Sequence, residues 1–283
     1  MFSYMIKLKE NLFPKSFWLL QQEAFLANSC ILTGFEFMVK GGFDDKYKGH
    51  YYTSFFQISI GLERLLKLIL ISDHMLKNSY QPPNIKDIKN FGHDLISLYN
   101  KSKIISSESS YKFLLQELKD NSIRKNILIF MNSFAEATGR YHNISSISKA
   151  SEVDPLDQWK NIINQIACED FSESMMCRIE TKVFERLNPK LQIQDIAEDT
   201  GYVNGVYRYV LESKANYYAV WNTLELIKPL IKLLVEISSK ANNSNQTPGN
   251  YYPHIPYYDE IFLILYTDRK DALRRKQWTN LGI

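Results

Sequence analysis

Apolar residues recur three and four positions apart along most of this chain, a period that suits helices turning one face to a shared core. From Ser16 to Lys40, Phe17, Trp18, Leu20, Phe25, Leu26, Cys30 and Leu32 follow Pro14 and stop at Gly41-Gly42, which predicts one long helix. Thr53 to Leu76 repeats the pattern with Phe56, Ile60, Leu62, Leu65, Leu66, Ile69 and Leu70, and Tyr80 to Pro83 stops it. Gly92-His93-Asp94-Leu95 leads into a short helix, and Ser107 to Lys119 and Ile123 to Ala137 carry two more helical patterns, the last ended by Gly139. Asp154-Pro155 is a helix start, because proline suits the first helical position, and Leu156, Trp159, Ile162, Ile163 and Ile166 continue from it. Met175 to Leu187, Tyr217 to Ser239 with Pro229 as a kink, and Tyr257 to Arg275 complete the predicted helices. Strand and helix compete from Ile193 to Gly205, leaving room for one small hairpin.

The expected fold is therefore an all-α antiparallel bundle. Residues 1–150 form its core, and residues 151–283 form a helical extension packing on it, either as a second unit or within one domain. Glycine supports this reading: 11 in 283 residues is well under the usual ~7%, which disfavours turn-rich sandwiches. With 34 Lys+Arg against 31 Asp+Glu the formal charge is only +3, so a polyanion site has to be a local patch. The N-terminus lacks the apolar stretch and cleavage site of a secretory signal. Glu63, Arg64 and Lys67 interrupt the apolar window from Phe55 to Ile71, and Glu225, Lys228 and Lys232 interrupt that from Trp221 to Ile237. The expectation is a cytoplasmic chain with no membrane partner. Cys30, Cys168 and Cys177 form no CxxC pair and sit in apolar surroundings, which predicts small core residues, with no metal and no cofactor.

The densest chemistry lies at Gly139-Arg140-Tyr141-His142-Asn143, where a guanidinium, an imidazole and an amide leave a helix end within four residues. Arginine neutralises a phosphodiester and its transition state, and histidine moves a proton near neutral pH. The structural alternative has Arg140 capping its helix and His142 bordering the core. Glu63 and Lys67, at i and i+4, share one helix face, and as a bare ion pair they contribute a few tenths of a kcal/mol.

Three blocks in order resemble the HEPN (higher eukaryotes and prokaryotes nucleotide-binding) superfamily. They are Ile60-Gly-Leu-Glu63-Arg-Leu-Leu-Lys67-Leu-Ile-Leu, Phe91-Gly92-His93-Asp94-Leu95, and Gly139-Arg140-Tyr141-His142-Asn143, within about Thr53 to Ile147. The resemblance implies an antiparallel helical bundle that dimerises so that polar motifs of two subunits face each other across a cleft. Active members are metal-independent RNA endonucleases, and others are inactive partners or nucleotide-binding accessories. Carried over, Arg140 and His142 are the catalytic pair: Arg140 holds the scissile phosphate and His142 acts as acid or base. Asn143 bonds the phosphate or fixes the imidazole, Tyr141 and His93 border the substrate, and Glu63 with Lys67 orients the site. Only Tyr141 separates Arg140 from His142, where the family's motif has four to six residues.

Three functions follow as expectations. The first is an RNA-binding protein or metal-independent endoribonuclease, a homodimer, in a toxin, stress or antiviral-defence setting, with a protein partner or antitoxin. The second is a non-catalytic scaffold or regulatory subunit binding a protein partner or nucleotide. The third rests on Asp195-Ile-Ala-Glu-Asp-Thr-Gly201-Tyr-Val-Asn-Gly205 and Ser213-Lys214, which are similar to the helix-turn-helix of TetR-type DNA-binding regulators. There Arg208 and Leu211 stand at the usual Tyr and Phe positions, and Glu198, Asp199 and Glu212 oppose phosphate contact. The tyrosine pairs 51–52, 217–218, 251–252 and 257–258 suit either base stacking or core packing.

Overall fold

The computed structural model describes residues 13–108, 115–135, 147, 153–186, 200–244 and 253–281. These residues are all-α: α1 Lys15–Lys40, α2 Lys48–Lys77, α3 Ile85–Asn90, α4 Leu95–Ser107, α5 Ile123–Ala135, α6 Pro155–Asp170, α7 Glu173–Arg186, α8 Thr200–Ser244 and the short α9 Arg269–Ala272. No helix among them is long and apolar enough to cross a membrane.

α1 and α2 form an antiparallel pair whose register follows from sequence. Phe17, Leu20, Ala24, Ala27, Ile31, Phe35 and Met38 are buried at helical spacing along α1. α2 buries residues around most of its circumference, among them Tyr51, Phe55, Ile58, Leu62, Leu65, Leu66 and Ile69, as befits a central helix. Two glycines let the backbones approach. A Cβ on Gly34 would lie 2.4 Å from Ile58 Cγ1, and one on Gly61 would lie 2.7 Å from Ile31 Cγ1 and 3.1 Å from the Ala27 carbonyl. The Ser54 hydroxyl exploits that closeness and donates to the Gly34 carbonyl at 2.7 Å.

Tyr51, Phe55, Phe130, Phe134 and Trp159 cluster where α2, α5 and α6 meet. Phe55 lies 4.7 Å from Phe130 and 4.9 Å from Trp159 between ring centroids. The Tyr51 hydroxyl donates to Asn216 Oδ1 at 2.7 Å, and the Asn216 amide donates to the Gly41 carbonyl at 2.9 Å. This pins the α1–α2 turn against α8, and it leaves Tyr51 inside the protein rather than on a stacking surface. Tyr258, also fully buried, shares a hydrogen bond of 3.0 Å with Ser72 of α2. Tyr251 and Tyr252 lie outside the described residues. Buried residues from Leu20 to Trp278 form one contiguous core, so both halves of the chain contribute to it.

Four expectations need correction. The stretch from Tyr257 to Arg275 is not one helix: the 3-10 turns Tyr258–Glu260 and Leu263–Tyr266 precede α9, and Asp268 accepts from the Asp271 amide to start it. Burial explains the break, because Ile255, Tyr258, Phe262 and Ile264 are all covered and one straight helix cannot hold that set against α8 and the first hairpin. Residues 115–122 are also non-helical, and Asn121 has φ +57°; the rest of that pattern, 109–114, lies outside the described residues. Residues 200–214 belong to the 45-residue α8, so Gly201 and Gly205 lie within a helix and the turn of a helix-turn-helix, or of a hairpin, is absent there. Residues 193–199 lie outside the described residues. Cys168 and Cys177 are exposed, since the apolar stripes of α6 and α7 face the other way; Cys30 is half-buried.

Candidate functional site

The junction of α2 with the loop ahead of α4 brings together three of the expected site residues. α2 is packed on its other sides, and it presents Glu63 and Lys67 on one face one turn apart, joined at 2.8 Å. The same Glu63 oxygen, Oε1, meets His93 Nδ1 at 2.8 Å, thirty residues away in sequence. Glu63 and Lys67 side chains are only about a fifth exposed, whereas the His93 ring is 85% exposed. A carboxylate that holds one ring nitrogen fixes the orientation of an imidazole and leaves the other nitrogen free to work at the surface.

The loop that carries His93 is built to hold it there. Gly92 has φ +74°, a left-handed backbone that glycine adopts without strain. Asp94 caps α4 by accepting from the Ser97 amide at 2.5 Å, and its other oxygen accepts from the Asn132 side-chain amide at 3.0 Å. Asn132 Oδ1 in turn accepts from the Leu95 amide at 2.6 Å. Lys101 donates to the carbonyls of Asn90 and Phe91 at 3.3 and 3.2 Å, tying down the upstream side. α2, the His93 loop and α5 are therefore linked through polar contacts at one end of the bundle.

Arg140, Tyr141, His142 and Asn143 lie outside the described residues, which on this side end at Ala135 of α5. Asn132 and Lys101 were not singled out from sequence, and Asp94 only as part of the loop block Phe91 to Leu95. The available signal was Asn132 itself, an amide amid Leu128, Met131 and Phe134 on the buried face of α5. Among the described residues, no three His, Cys, Asp or Glu side chains gather as a metal site requires.

A second polar feature lies between α6 and α8. A cleft of about 570 Å³ is lined by Lys160, Asn164, Gly205, Tyr207, Arg208 and Glu212. The buried Glu212 carboxylate is 3.5 Å from Arg208 Nε. Burial raises its pKa to about 7 and Asp44 adds to the rise, against the lowering by Arg208, the Phe43 backbone amide and Lys160. The native state therefore binds a proton that the unfolded chain, with an ordinary carboxyl, has already lost. Stability is full below the ordinary carboxylate pKa, falls as pH rises towards 7, and levels off above it. The loss amounts to about 2 to 3 kcal/mol. Urea unfolding at pH 5 and pH 8 checks this. Wild type should be weaker at pH 8 and Glu212→Gln should remove most of the difference; an unchanged difference in the variant would refute the assignment.

No protein-family model, no curated protein and no solved structure matches the chain.

Proposed function

We propose that this chain is a HEPN-like RNA-binding protein that cleaves RNA without metal, acting as a homodimer in a toxin, stress or antiviral-defence setting. The observation that carries the reading is the shared oxygen of Glu63. Lys67 from the helix block and His93 from the loop block both meet it, so two of the three blocks behind the family resemblance converge on one polar face. Arg140 of the third block neutralises the scissile phosphate, and His142 moves a proton to or from a ribose oxygen. Attack by the RNA 2′-hydroxyl on its own phosphorus expels the 5′-oxygen of the next nucleotide and leaves a cyclic phosphate. Asn143 and Tyr141 border the scissile nucleotide. Glu63 is a positioning residue, acting through Lys67 and His93.

Glu63→Gln keeps the shape of the side chain but loses its charge, so both partners are held less well. RNA cleavage by this variant should fall about tenfold at every pH, because the Lys67 ammonium and the His93 ring lose the charge that orients them. Cleavage measured from pH 5 to 8 in wild type and variant decides the matter. A Glu63→Gln profile superimposable on wild type would remove this junction from the site.

A second reading is a non-catalytic scaffold or regulatory subunit that binds a protein partner. One observation favours it: Trp18, Leu19, Phe25 and Leu26 of α1 form an exposed apolar stripe. On that reading His142→Ala leaves partner binding untouched and there is no cleavage to lose.

A further inference from the structure

α1 is apolar on two faces. One, with Phe17, Leu20, Ala24, Ala27 and Ile31, is buried against the rest of the bundle. On the other, the exposed positions from Lys15 to Ser29 hold four large apolar side chains, Trp18, Leu19, Phe25 and Leu26, with Gln22 at their centre and Lys15 as the only charge. The four are between 36% and 54% exposed. A solvent-facing helix surface ordinarily carries charges, and a helix that is apolar all round is one that ends up covered on every side. Glu23, at the flank of the stripe, is already paired with Arg64 of α2 at 2.6 Å.

The stripe is symmetric about Gln22. At about 100° per residue, Trp18 and Phe25 line up as one aromatic edge, and Leu19 and Leu26 as an aliphatic edge beside it. Apolar side chains therefore stand three and four positions before Gln22 and three and four positions after it. The aromatic edge is also held in place: the Trp18 ring lies edge-on to Phe13 and to Phe17, 5.4 Å from each between centroids. An anchor that is already ordered loses little freedom when a partner arrives.

We propose that a second copy of the chain covers this stripe, its α1 lying antiparallel to the first and crossing it at Gln22. A twofold axis there returns each edge onto its like, so that Trp18 packs on the partner's Phe25 and Leu19 on the partner's Leu26. Charge selects the antiparallel arrangement. A parallel pair would set Lys15 against the partner's Lys15 and align the two helix dipoles, whereas the antiparallel pair opposes the dipoles and puts Lys15 beside the partner's Ser29. Area sets the strength. With ~200 Å² for a whole large apolar side chain, the exposed parts of the four come to roughly 400 Å² per copy. Polar neighbours bring the total to about 1,200 Å², the small end of specific interfaces, which suits a dissociation constant on the order of micromolar. This is not the polar cleft that the family resemblance implies, since α1 carries none of its three blocks. The inference therefore does not rest on the nuclease reading, although it gives a homodimer its contact.

Sedimentation equilibrium of the full chain from about 1 to 100 µM is the test, the range that an interface of this size calls for. Wild type should pass from monomer to dimer across it. Leu19→Glu with Phe25→Glu puts a charge on each edge and should weaken dimerisation at least 100-fold, leaving a folded monomer throughout. Ile104→Glu, at an exposed apolar position of α4, should dimerise as wild type does. Thermal unfolding at the lowest concentration, where wild type is also monomeric, should be the same for the double variant. The register is read in a Cys168→Ser, Cys177→Ser background oxidised with copper phenanthroline. Gln22→Cys, on the axis, should give a disulfide-linked dimer, and Lys15→Cys, ~20 Å from its own copy, should not. A wild type that stays monomeric would overturn the inference and leave the stripe to a different protein. A double variant that dimerises as wild type does, or cross-linking through Lys15→Cys and not Gln22→Cys, would overturn it as well. His142→Ala should dimerise normally while losing cleavage, so failure of this interface and failure of the nuclease reading are told apart.

Discussion

Replacing Gly61 by valine should cost the protein about 3 kcal/mol of stability, at the upper end of what overpacking a core exacts. A Cβ at this position meets Ile31 Cγ1 at 2.7 Å, the Ala27 carbonyl at 3.1 Å and the Ile31 amide at 3.1 Å. Ile31 can rotate its terminal atoms, but the two backbone groups of α1 cannot move without parting the helices. Parting them also strains the Gly34 contact with Ile58 and the hydrogen bond from Ser54 to the Gly34 carbonyl. Helix propensity works in the other direction by up to ~1 kcal/mol, because glycine is a poor helix former, and valine recovers only part of that. Gly49 is the control, since a Cβ there meets nothing within 4 Å. Gly49→Ala should be neutral or slightly stabilising. Urea midpoints of the two variants test the pair, and a Gly61→Val midpoint equal to wild type would refute the close packing of α1 on α2.

The largest effect on activity is expected from the Arg140 to Asn143 segment. Loss of a positioned acid or base costs ~100-fold to 10,000-fold, so His142→Ala should reduce RNA cleavage by at least about 100-fold. Arg140→Ala should do the same by removing the charge that faces the developing negative charge on phosphate. Arg140→Lys should recover only part of the rate, because an ammonium cannot make the paired, planar contact of a guanidinium. Both alanine variants should unfold at the wild-type urea concentration. Cleavage at the wild-type rate by folded His142→Ala would exclude this histidine as the acid or base.

The elements that local patterning specifies were readable from sequence, and those that depend on distant contacts were not. The apolar series after Pro14 and the stop at Gly41-Gly42 give α1 almost to the residue, and Asp154-Pro155 marks the start of α6, where Asp154 caps the Leu156 amide at 2.8 Å. The final segment carries the same apolar period but is bent into short turns, because Trp278 packs edge-on to Phe35 at 5.1 Å and the Glu36 carboxylate accepts from the Thr279 hydroxyl at 2.8 Å. Those partners lie more than two hundred positions away. Gly201 and Gly205 read as a turn because glycine is a local helix breaker; in α8 Val210 is held by Ile179 and Val183, and tertiary packing overrides the propensity. Within the candidate site, the i,i+4 pairing of Glu63 with Lys67 was local and legible. The contact between Glu63 and His93 spans thirty residues; the family resemblance named both residues but not their contact, and neither it nor the local pattern named the polar bridge from Asn132 to Asp94.

The most direct test of the central proposal is the chemistry of the cut ends. Purified protein is incubated in EDTA with defined single-stranded and structured RNAs, beside folded Arg140→Ala and His142→Ala, and the products are resolved by mass spectrometry. The account predicts fragments ending in 2′,3′-cyclic phosphate and beginning with a 5′-hydroxyl, from wild type alone. Intact RNA with every protein, or equal cutting by all three, would contradict it and give the scaffold reading precedence.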